Sequence, residues 1–280
     1  MLIVEHPKDL SDLLSSFRAQ NKKIGFFPTM GALHQGHLSL LEASKAENDV
    51  TVCSIFVNPT QFNNPEDLEK YPRTPEQDQT LLNERGCDIL FMPTREVLYE
   101  NENPFQLNYN GLDRRFEGAS RPGHFDGVAR VVKLLFEAVQ PDNAYFGLKD
   151  FQQCMVIQLL VEQLAIPVNL HFCPTLREAD GLAMSSRNLR LSEALREQAP
   201  VIYNALEWAK EKYVLMDLSE IQYHCISLIE SQADLKVDYF EIAEARTLLP
   251  AQASTAAEDA VALTAVFAQD VRLIDNLLMK

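Results

Sequence analysis

The chain has 280 residues, of which 46% are hydrophobic, and it carries a formal net charge of -15 at neutral pH. This length and composition predict one large or two modest globular domains with enough apolar material for a core. The acidic balance argues against a broad interface with nucleic acid or with an anionic membrane, so an anionic substrate would need a local basic pocket. The basic side chains considered for that pocket are Arg114, Arg115, Arg121, Lys149, Arg177 and Arg187.

The cysteines and the apolar runs indicate a cytoplasmic protein. The five cysteines are scattered, odd in number and without a Cys-x-x-Cys pair, which is typical of neither a disulfide framework nor a zinc site. Residues 1–18 carry acids and begin with only a short apolar run, which does not fit a signal peptide. No apolar run approaches the ~20 residues of a membrane span. We therefore expect a cytoplasmic location, with neither nucleic acid nor a membrane as partner.

Hydrophobic spacing predicts alternating helices and strands in the first two thirds of the chain. In chain order, the predicted helices cover residues 8–20, 37–45, 74–85, 128–139 and 150–164. The predicted strands cover residues 24–27, 49–57, 88–92, 143–146 and 168–173, and residues 58–72 and 93–123 are predicted to be irregular. This order favours an α/β domain with a doubly wound parallel sheet and with ligands at the carboxyl ends of its strands.

The pattern changes near residues 185–190, where a second domain is expected to begin. Ser192 is predicted to cap a long helix that ends near residue 214, and residues 218–232 continue as helix. Residues 237–242, 261–268 and 272–274 are predicted to form short strands. We therefore assign residues 1–187 to the α/β domain and residues 188–280 to a smaller α+β domain.

A strand, a glycine turn and a helix start follow one another between residues 26 and 40. Such a helix N-terminus attracts anions through its backbone N–H groups and its dipole. His34 and His37 are three residues apart, so both rings can reach the same side of that terminus. Two imidazoles beside a phosphate can donate hydrogen bonds to charge growing on phosphorus without a metal. A lone histidine at a helix start is usually only a solvated polar residue, but two of them with Gly31 and Gly36 favour a functional site.

Two further polar stretches follow predicted strands. Asn58 and Gln61 offer side-chain amides that suit hydroxyl and carboxylate groups, although an Asn-Pro turn with a surface Gln explains them equally well. Lys149 precedes a helix whose dipole disfavours a cation, so we expect it to face an anion. Asp150 is a good N-cap for that helix, and Gln153 lies one turn further on. The alternative for the lysine is an exposed side chain in a glycine turn.

A fourth stretch, residues 177–188, places two hydroxyls and a guanidinium in a mobile-looking loop. Ser185, Ser186 and Arg187 suit a polyphosphate, because Arg forks onto phosphate oxygens and Ser donates single hydrogen bonds. The alternative is an ordinary polar loop that caps a helix. Alone the signal is weak, and together with the histidine turn it is strong.

These motifs resemble a known superfamily. The His34-Gln35-Gly36-His37 turn, with the later Met184-Ser185-Ser186-Arg187 loop, resembles the H-x-G-H nucleotidyltransferases, which include the class I aminoacyl-tRNA synthetases. Longer stretches resemble one family among them, the pantoate–β-alanine ligases. These stretches are residues 28–40, 56–62, 71–74, 118–128, 141–153 and 180–188, and more weakly 237–239 and 272–276.

The resemblance implies a Rossmann-like first domain and a C-terminal lid domain in a homodimer. It also implies ATP-dependent joining of pantoate to β-alanine through a pantoyl-adenylate, with Mg²⁺ and with release of AMP and diphosphate. The catalytic residues it implies are His34, His37, Lys149 and Arg187. The implied ATP contacts are Met30, Gly31, Ala32, Leu33, His34, Gln35, Gly36, His37, Gly147, Leu148, Lys149, Asp150, Leu176, Met184, Ser185, Ser186 and Arg187. The implied contacts to pantoate or β-alanine are Gln61, Gln153 and Asn58, and the candidate for holding Mg²⁺ is Asp78.

Three positions depart from the pattern of that family. Arg130 stands where Thr is usual, Leu134 where Lys is usual, and residues 268–271 replace a glycine-containing turn. We expect Arg130 to face solvent or to pair with a nearby acid, and not to enter the pantoate pocket.

Other functions remain to be weighed against the ligase. They are a nucleotidyltransferase acting on a different substrate, a reduced aminoacyl-tRNA synthetase, and a non-enzymatic nucleotide sensor or scaffold. The acidic C-terminal region argues against a tRNA-binding appendage. The presence of His37, Lys149 and Arg187 argues against loss of catalysis, so the ligase is favoured.

Overall fold

The computed structural model describes residues 1–100 and 102–280, and this part of the chain forms two compact units. The first comprises residues 1–148 and 152–174, and the second comprises residues 149–151 and 175–280. The boundary expected after residue 187 falls later than this division. Residues 175–187 belong to the second unit, in which Arg177 and Arg187 donate hydrogen bonds to Asp275 and to the Arg272 carbonyl.

The first unit is built on a parallel sheet. Its described strands are β1 (Leu2–Val4), β2 (Ile24–Thr29), β3 (Val50–Ile55), β4 (Ile89–Phe91), β5 (Asn143–Gly147) and β6 (Asn169–Cys173), in the order β1-β4-β3-β2-β5-β6. Its described helices are α1 (Pro7–Arg18), α2 (Gln35–Glu47), α3 (Pro65–Glu69), α4 (Pro75–Glu84), α5 (Arg95–Tyr99), α6 (Phe116–Ser120), α7 (His124–Val139) and α8 (Phe151–Gln163). Neighbouring strands are parallel throughout this sheet. The predicted α/β class is confirmed.

Apolar strands and close helix packing form the core of this unit. β3 is buried at all six positions, as is typical of a parallel strand covered on both faces. Phe26 of β2 meets Phe136 of α7 edge to face, with ring centroids 6.3 Å apart. α2 lies so close to β2 that a Cβ on Gly25 would come within 2.2 Å of the Ser44 hydroxyl. The start of β2 and the C-terminal part of α2 are therefore in direct contact.

The second unit packs helices against a small antiparallel sheet. Its described elements are α9 (Glu193–Gln198), α10 (Val201–Lys212), α11 (Leu218–Glu230), β7 (Leu235–Glu244), β8 (Ala260–Ala268) and β9 (Val271–Leu278), with strand order β7-β8-β9. Leu206, Ile221, Phe240 and Val266 belong to its core. Among the described residues of both units, no helix has the length and apolar character required to cross a membrane.

Several local expectations are corrected. The long helix predicted from Ser192 is broken at Pro200, which has no N–H and clashes with the preceding turn, so α9 and α10 are separate. The segments predicted to be irregular hold the short helices α3, α5 and α6, whose five residues each are too few to show a helical period. β1 was not expected as a strand, and its three residues add to the edge of the sheet beside β4.

Candidate active site

β2 lies where the strand order changes direction. The chain places β3 and β4 on one side of β2, and β5 and β6 on the other. Pairing between β2 and β5 covers only Gly25 with Asn143 and Phe26 with Ala144, so it ends three residues before the end of each strand. Pro28 has no N–H with which to extend a ladder. The sheet therefore opens at the carboxyl ends of β2 and β5, where parallel α/β sheets bind their ligands.

The turn after β2 is held by a buried carboxylate. Gly31 and Ala32 both have positive φ, 81° and 48°, so the chain makes a left-handed bend that is costly for alanine. Asp78 of α4 is only 1% exposed. Its carboxylate accepts hydrogen bonds from the N–H of Ala32 at 2.9 Å, from the N–H of Leu33 at 2.8 Å and from the Thr74 hydroxyl at 3.1 Å. These bonds fix the bend that leads into α2.

His34 and His37 come together at the start of α2. Their ring centroids are 4.0 Å apart. The Nδ1 of His34 accepts from the N–H of Gly36 at 3.2 Å, and the Nδ1 of His37 accepts from the N–H of His34 at 3.3 Å. Because Nδ1 is the acceptor in both rings, a neutral imidazole carries its proton on Nε2. Each neutral ring therefore carries its N–H donor on Nε2, and a donor of this kind beside a helix N-terminus suits a phosphate.

The described residues do not fit a metal centre made by the protein alone. Among them, no group of three or more His, Cys, Asp or Glu side chains is arranged to hold a metal ion. Asp78, the expected magnesium residue, has both carboxylate oxygens occupied by turn N–H groups. Asp78 holds the turn, and its predicted role in holding Mg²⁺ stays a prediction.

Asn58 and Gln61 lie on the neighbouring connection, after β3. Asn58 is 1% exposed, and its amide N–H groups donate to the Gly127 carbonyl at 3.0 Å and to Gln61 Oε1 at 3.2 Å. Its Oδ1 accepts from the hydroxyls of Thr60 and Tyr99, both at 2.9 Å. The Asn58 amide is therefore engaged within the protein, where it contacts Gln61, and its predicted contact with the substrate stays a prediction.

Gln61 is held through both its side chain and its backbone. Its Nε2 lies 3.1 Å from the sulfur of Met30, which brings two predicted ligand contacts together. Its carbonyl accepts from Arg121 at 3.1 Å and from Nδ1 of His124 at 2.8 Å. Sequence reasoning missed the role of His124, which lies in a quoted stretch but 63 residues from Gln61.

Helix α7 packs directly onto the turn Pro59–Gln61. A Cβ on Gly127 would lie 2.5 Å from the backbone oxygen of Thr60 and 2.7 Å from the N of Gln61. Glycine is therefore required for this approach, which also allows Asn58 to reach the Gly127 carbonyl.

Gly147 and Leu148 mark the carboxyl end of β5, across the opening from the histidine turn. Gln153 lies partly buried in the first turn of α8. Among the described residues no hydrogen bond joins Gln153 to Gln61, so their shared role remains a prediction. The adjacent Gln152 is buried and has a structural task, since it bonds the backbone of residues 112, 115 and 117.

In the second unit, the predicted mobile loop is a hairpin. Arg177 and Ala183 form an antiparallel bridge, and the N–H of Met184 donates to the Leu176 carbonyl at 3.0 Å. Two predicted ATP contacts thus lie opposite each other. Gly181, with φ of 92°, supplies the left-handed residue at the tip.

The Ser185 hydroxyl and the Arg187 guanidinium of this stretch also make hydrogen bonds within the protein. Ser185 Oγ accepts from the N–H of Arg187 at 3.3 Å and so caps the 3₁₀ helix Ser186–Arg190. Arg187 donates to the Arg272 carbonyl at 3.4 Å. Lys149 Nζ lies 3.6 Å from the carboxylate of Asp150. Asp150 is the residue immediately before the start of α8. Arg177, considered at first for the basic pocket, is instead paired with the buried Asp275 at 2.6 Å.

Arg130 pairs with an acid, as expected. Its Nε and Nη2 donate to the two carboxylate oxygens of Glu102 at 2.6 and 2.5 Å, and its guanidinium lies 5.6 Å from the Tyr99 ring centroid. These hydrogen bonds lower the pKa of Glu102, and they raise that of Arg130. The departure from the family pattern is thus compensated by a partner within this chain.

The parallel sheet and the histidine pair at its switch point define an α/β protein of the H-x-G-H nucleotidyltransferase class. The family model described as pantoate-beta-alanine ligase matches residues 2–278. The pantothenate synthetase of Flavobacterium psychrophilum is 46% identical over 100% of both chains, and that of Bacteroides thetaiotaomicron is 45% identical over 100% of this chain and 99% of its own. The chain belongs to the pantoate–β-alanine ligase family.

Solved structures agree with this assignment. The pantothenate synthetase of Thermus thermophilus matches with a TM-score of 0.91 and 41% identity, over 100% of this chain and 99% of that one. The pantoate-beta-alanine ligase of Francisella tularensis, described as complexed with beta-gamma ATP and beta-alanine, matches with a TM-score of 0.81 and 36% identity. That match covers 100% of this chain and 98% of the other.

Proposed function

We propose that this protein condenses pantoate with β-alanine to pantothenate, using ATP and releasing AMP and diphosphate through a pantoyl-adenylate. The observation that carries the proposal is the chain-long family match, combined with the His34 and His37 pair at the switch point of the sheet. The Francisella relative, crystallised with an ATP compound and β-alanine, supports the same pair of ligands here.

The first step joins two anions, so stabilisation of charge is its main requirement. The pantoate carboxylate attacks the α-phosphorus, which forms a C–O–P linkage and breaks the bond to diphosphate. The Nε2–H groups of His34 and His37 and the N-terminus of α2 would donate to the phosphate oxygens as charge grows on them. Asp78 holds the turn that leads directly into these donors, which supports their preorganisation.

The acid is assigned to the region of Gln61. Gln61 and Gln153 would hold pantoate through their amides, with Met30 alongside, and Asn58 would position Gln61. In the second step the deprotonated amine of β-alanine attacks the acyl carbon and forms the C–N bond, AMP leaves with the electron pair of the broken C–O bond, and the nitrogen loses one proton to solvent. No covalent enzyme intermediate is needed, and the adenylate keeps contacts to both the nucleotide and the acid regions.

The remaining assignments concern the phosphates. Lys149, Ser185, Ser186 and Arg187 would contact the ATP phosphates, and Gly147, Leu148, Asp150, Leu176 and Met184 would line the nucleotide. Mg²⁺ would enter as the counter-ion of ATP, bound by phosphate oxygens and neutralising their charge, since Asp78 is engaged in the turn.

The deciding experiment measures AMP release with ATP, pantoate and β-alanine, omitting each in turn. We expect full turnover only with all three. With ATP and pantoate alone, the enzyme should exchange labelled diphosphate into ATP. Exchange that requires β-alanine, or AMP found covalently attached to protein, would exclude the non-covalent two-step route. Failure to form pantothenate would exclude the function.

We also propose a cytoplasmic homodimer, on the strength of the family resemblance. The five cysteines are all thiols, which fits a reducing compartment. Light scattering on the purified protein tests the dimer: a mass near 31.7 kDa would contradict it.

A further inference from the structure

Strand β9 makes hydrogen bonds to two of the residues assigned to the ATP phosphates, Lys149 and Arg187. The side-chain amide of Asn276 donates to the Lys149 carbonyl at 2.8 Å. Four residues earlier on the same strand, the Arg272 carbonyl accepts from the Arg187 guanidinium at 3.4 Å. Arg272 is itself held by Asp238, with nitrogen–oxygen distances of 3.1 and 2.8 Å. Residues of one strand therefore make hydrogen bonds that help to fix the positions of both Lys149 and Arg187.

Asn276 is fixed by a buried ion pair. Asp275 is 4% exposed, and its carboxylate accepts from both terminal nitrogens of Arg177, at 2.6 and 3.0 Å. Asp275 also accepts from the N–H of Asn276 at 2.7 Å, and Arg177 donates to the Asn276 carbonyl at 3.2 Å. The guanidinium stacks on the Tyr203 ring, 3.9 Å from its centroid. A buried pair with this many partners resists displacement, because removing one partner leaves an uncompensated charge.

The chain segment that receives this hydrogen bond has an unusual place in the fold. Residues 149–151 group with the second unit, although the residues before and after them, up to Leu148 and from Gln152, group with the first. The bond from Asn276 to the Lys149 carbonyl joins two residues of this second unit.

We propose that Asn276, held by the Arg177–Asp275 pair, is the positioning residue for Lys149. A lysine side chain is a flexible four-carbon stem, so the place of its backbone sets which phosphate oxygen the amino group can reach. Asn276 fixes that backbone through its hydrogen bond to the Lys149 carbonyl. The inference rests on the proposed function, which assigns Lys149 to the ATP phosphates.

The test is a double-mutant cycle on the full chain, read as kcat and KM for ATP. Asn276→Leu, similar in size but without N–H donors, should lower kcat/KM for ATP roughly 10- to 100-fold, the usual cost of misplacing a catalytic group by about 1 Å. In a Lys149→Ala background the same change should alter kcat/KM by no more than about twofold, because the two residues act as one unit. A purely structural role of Asn276 would instead give the same loss in both backgrounds.

Tyr213→Phe provides the matched control. It removes a partly buried hydrogen bond from the Tyr213 hydroxyl to the Thr255 carbonyl, at 2.9 Å, in the same unit. It should cost some thermal stability and leave KM for ATP unchanged. If Asn276→Leu fails to fold, Asn276→Ser, which is too short to reach the carbonyl, enters the same cycle. Equal losses in both backgrounds, or full activity of the folded variant, overturn the inference. Lack of pantothenate formation by the wild-type enzyme would instead overturn the proposed function.

Discussion

The replacement Asp78→Asn separates the two roles that have been considered for this carboxylate. In the structure its oxygens accept from the N–H groups of Ala32 and Leu33 at 2.9 and 2.8 Å, inside a protein interior where water cannot substitute. An asparagine offers one oxygen and one NH₂ group, so one of the two N–H groups would face another donor. The turn that carries the histidines would then lose its left-handed bend or keep it under strain.

The magnitude follows from these contacts. Hydrogen bonds to a charged group contribute about 1.5–3 kcal/mol each, and a buried donor left unpaired costs about 1–3 kcal/mol. In Asp78→Asn one of the two hydrogen bonds loses its charged acceptor, and the other N–H group loses its acceptor altogether. Together these losses should lower the free energy of unfolding by roughly 3–5 kcal/mol. Because the histidines follow this turn directly, kcat should also fall about 100-fold if they move by about 1 Å.

The assay combines urea unfolding, followed by circular dichroism, with kcat measured over a range of Mg²⁺ concentrations. Glu76→Gln is the matched control, since it removes an exposed carboxylate from the same turn of α4 and should change stability by at most about 0.5 kcal/mol. Our interpretation predicts that Asp78→Asn is destabilised and that added Mg²⁺ does not restore its activity. A variant of normal stability whose activity returns with excess Mg²⁺ would refute this reasoning and make Asp78 a metal ligand.

The other predictions concern the histidine pair, the Gln61 turn and the Arg130 pair. His37→Ala should lose about 10²–10³ in turnover with little change in ATP affinity or thermal stability, as measured by steady-state kinetics and ligand binding. Gly127→Ala would place a Cβ 2.5 Å from the backbone of the facing turn and should raise KM for pantoate several-fold. Gly118→Ala, which also meets backbone at 2.6 Å but elsewhere, should reduce the melting temperature without changing that KM. Arg130→Thr should leave KM for pantoate nearly unchanged, and a several-fold change would place this position at the substrate. Since the pKa of Glu102 is lowered, the wild type should exceed Glu102→Gln in stability by at most about 1 kcal/mol, because the pair is partly exposed. This difference in stability should be fully present above pH 4.5, the ordinary pKa of a glutamate, and should disappear as the pH falls below that value. A difference that persists in acid would contradict the pairing of Glu102 with Arg130.

The sequence alone is enough to predict the alternating strands and helices of the first unit and the closeness of His34 and His37. Strand β3 is a continuous apolar run, and helix α7 has apolar residues at helical spacing. Both patterns can be recognised from neighbouring residues alone, without knowledge of distant partners. The three-residue spacing of His34 and His37 likewise places both rings on one side of a helix start, and the structure has them 4.0 Å apart. Local rules are sufficient for such features.

The roles of Asp78 and Asn58 depend on distant partners and could not be read in this way. Asp78 meets residues 45 and 46 positions earlier in the chain, and Asn58 meets a carbonyl 69 positions later. Both carry side chains that suit a ligand, and both have their hydrogen-bonding groups engaged within the protein. A sequence gives the donors and acceptors of a side chain, but only the fold determines which of them another residue uses.

The hydrogen bonds of His34 and His37 differ from those of Asn58 in a way that separates residues suited to bind a ligand from residues that support the fold. His34 and His37 use Nδ1 for backbone N–H groups of their own turn, and this local contact commits the proton to Nε2, at the other edge of the ring. Asn58 uses its oxygen and both amide hydrogens on four partners, so any substrate contact would have to displace one of them. A substitution at the histidines should therefore change the chemistry while leaving the fold intact. A substitution at Asn58 should change the fold around Gln61 first, and the chemistry as a consequence.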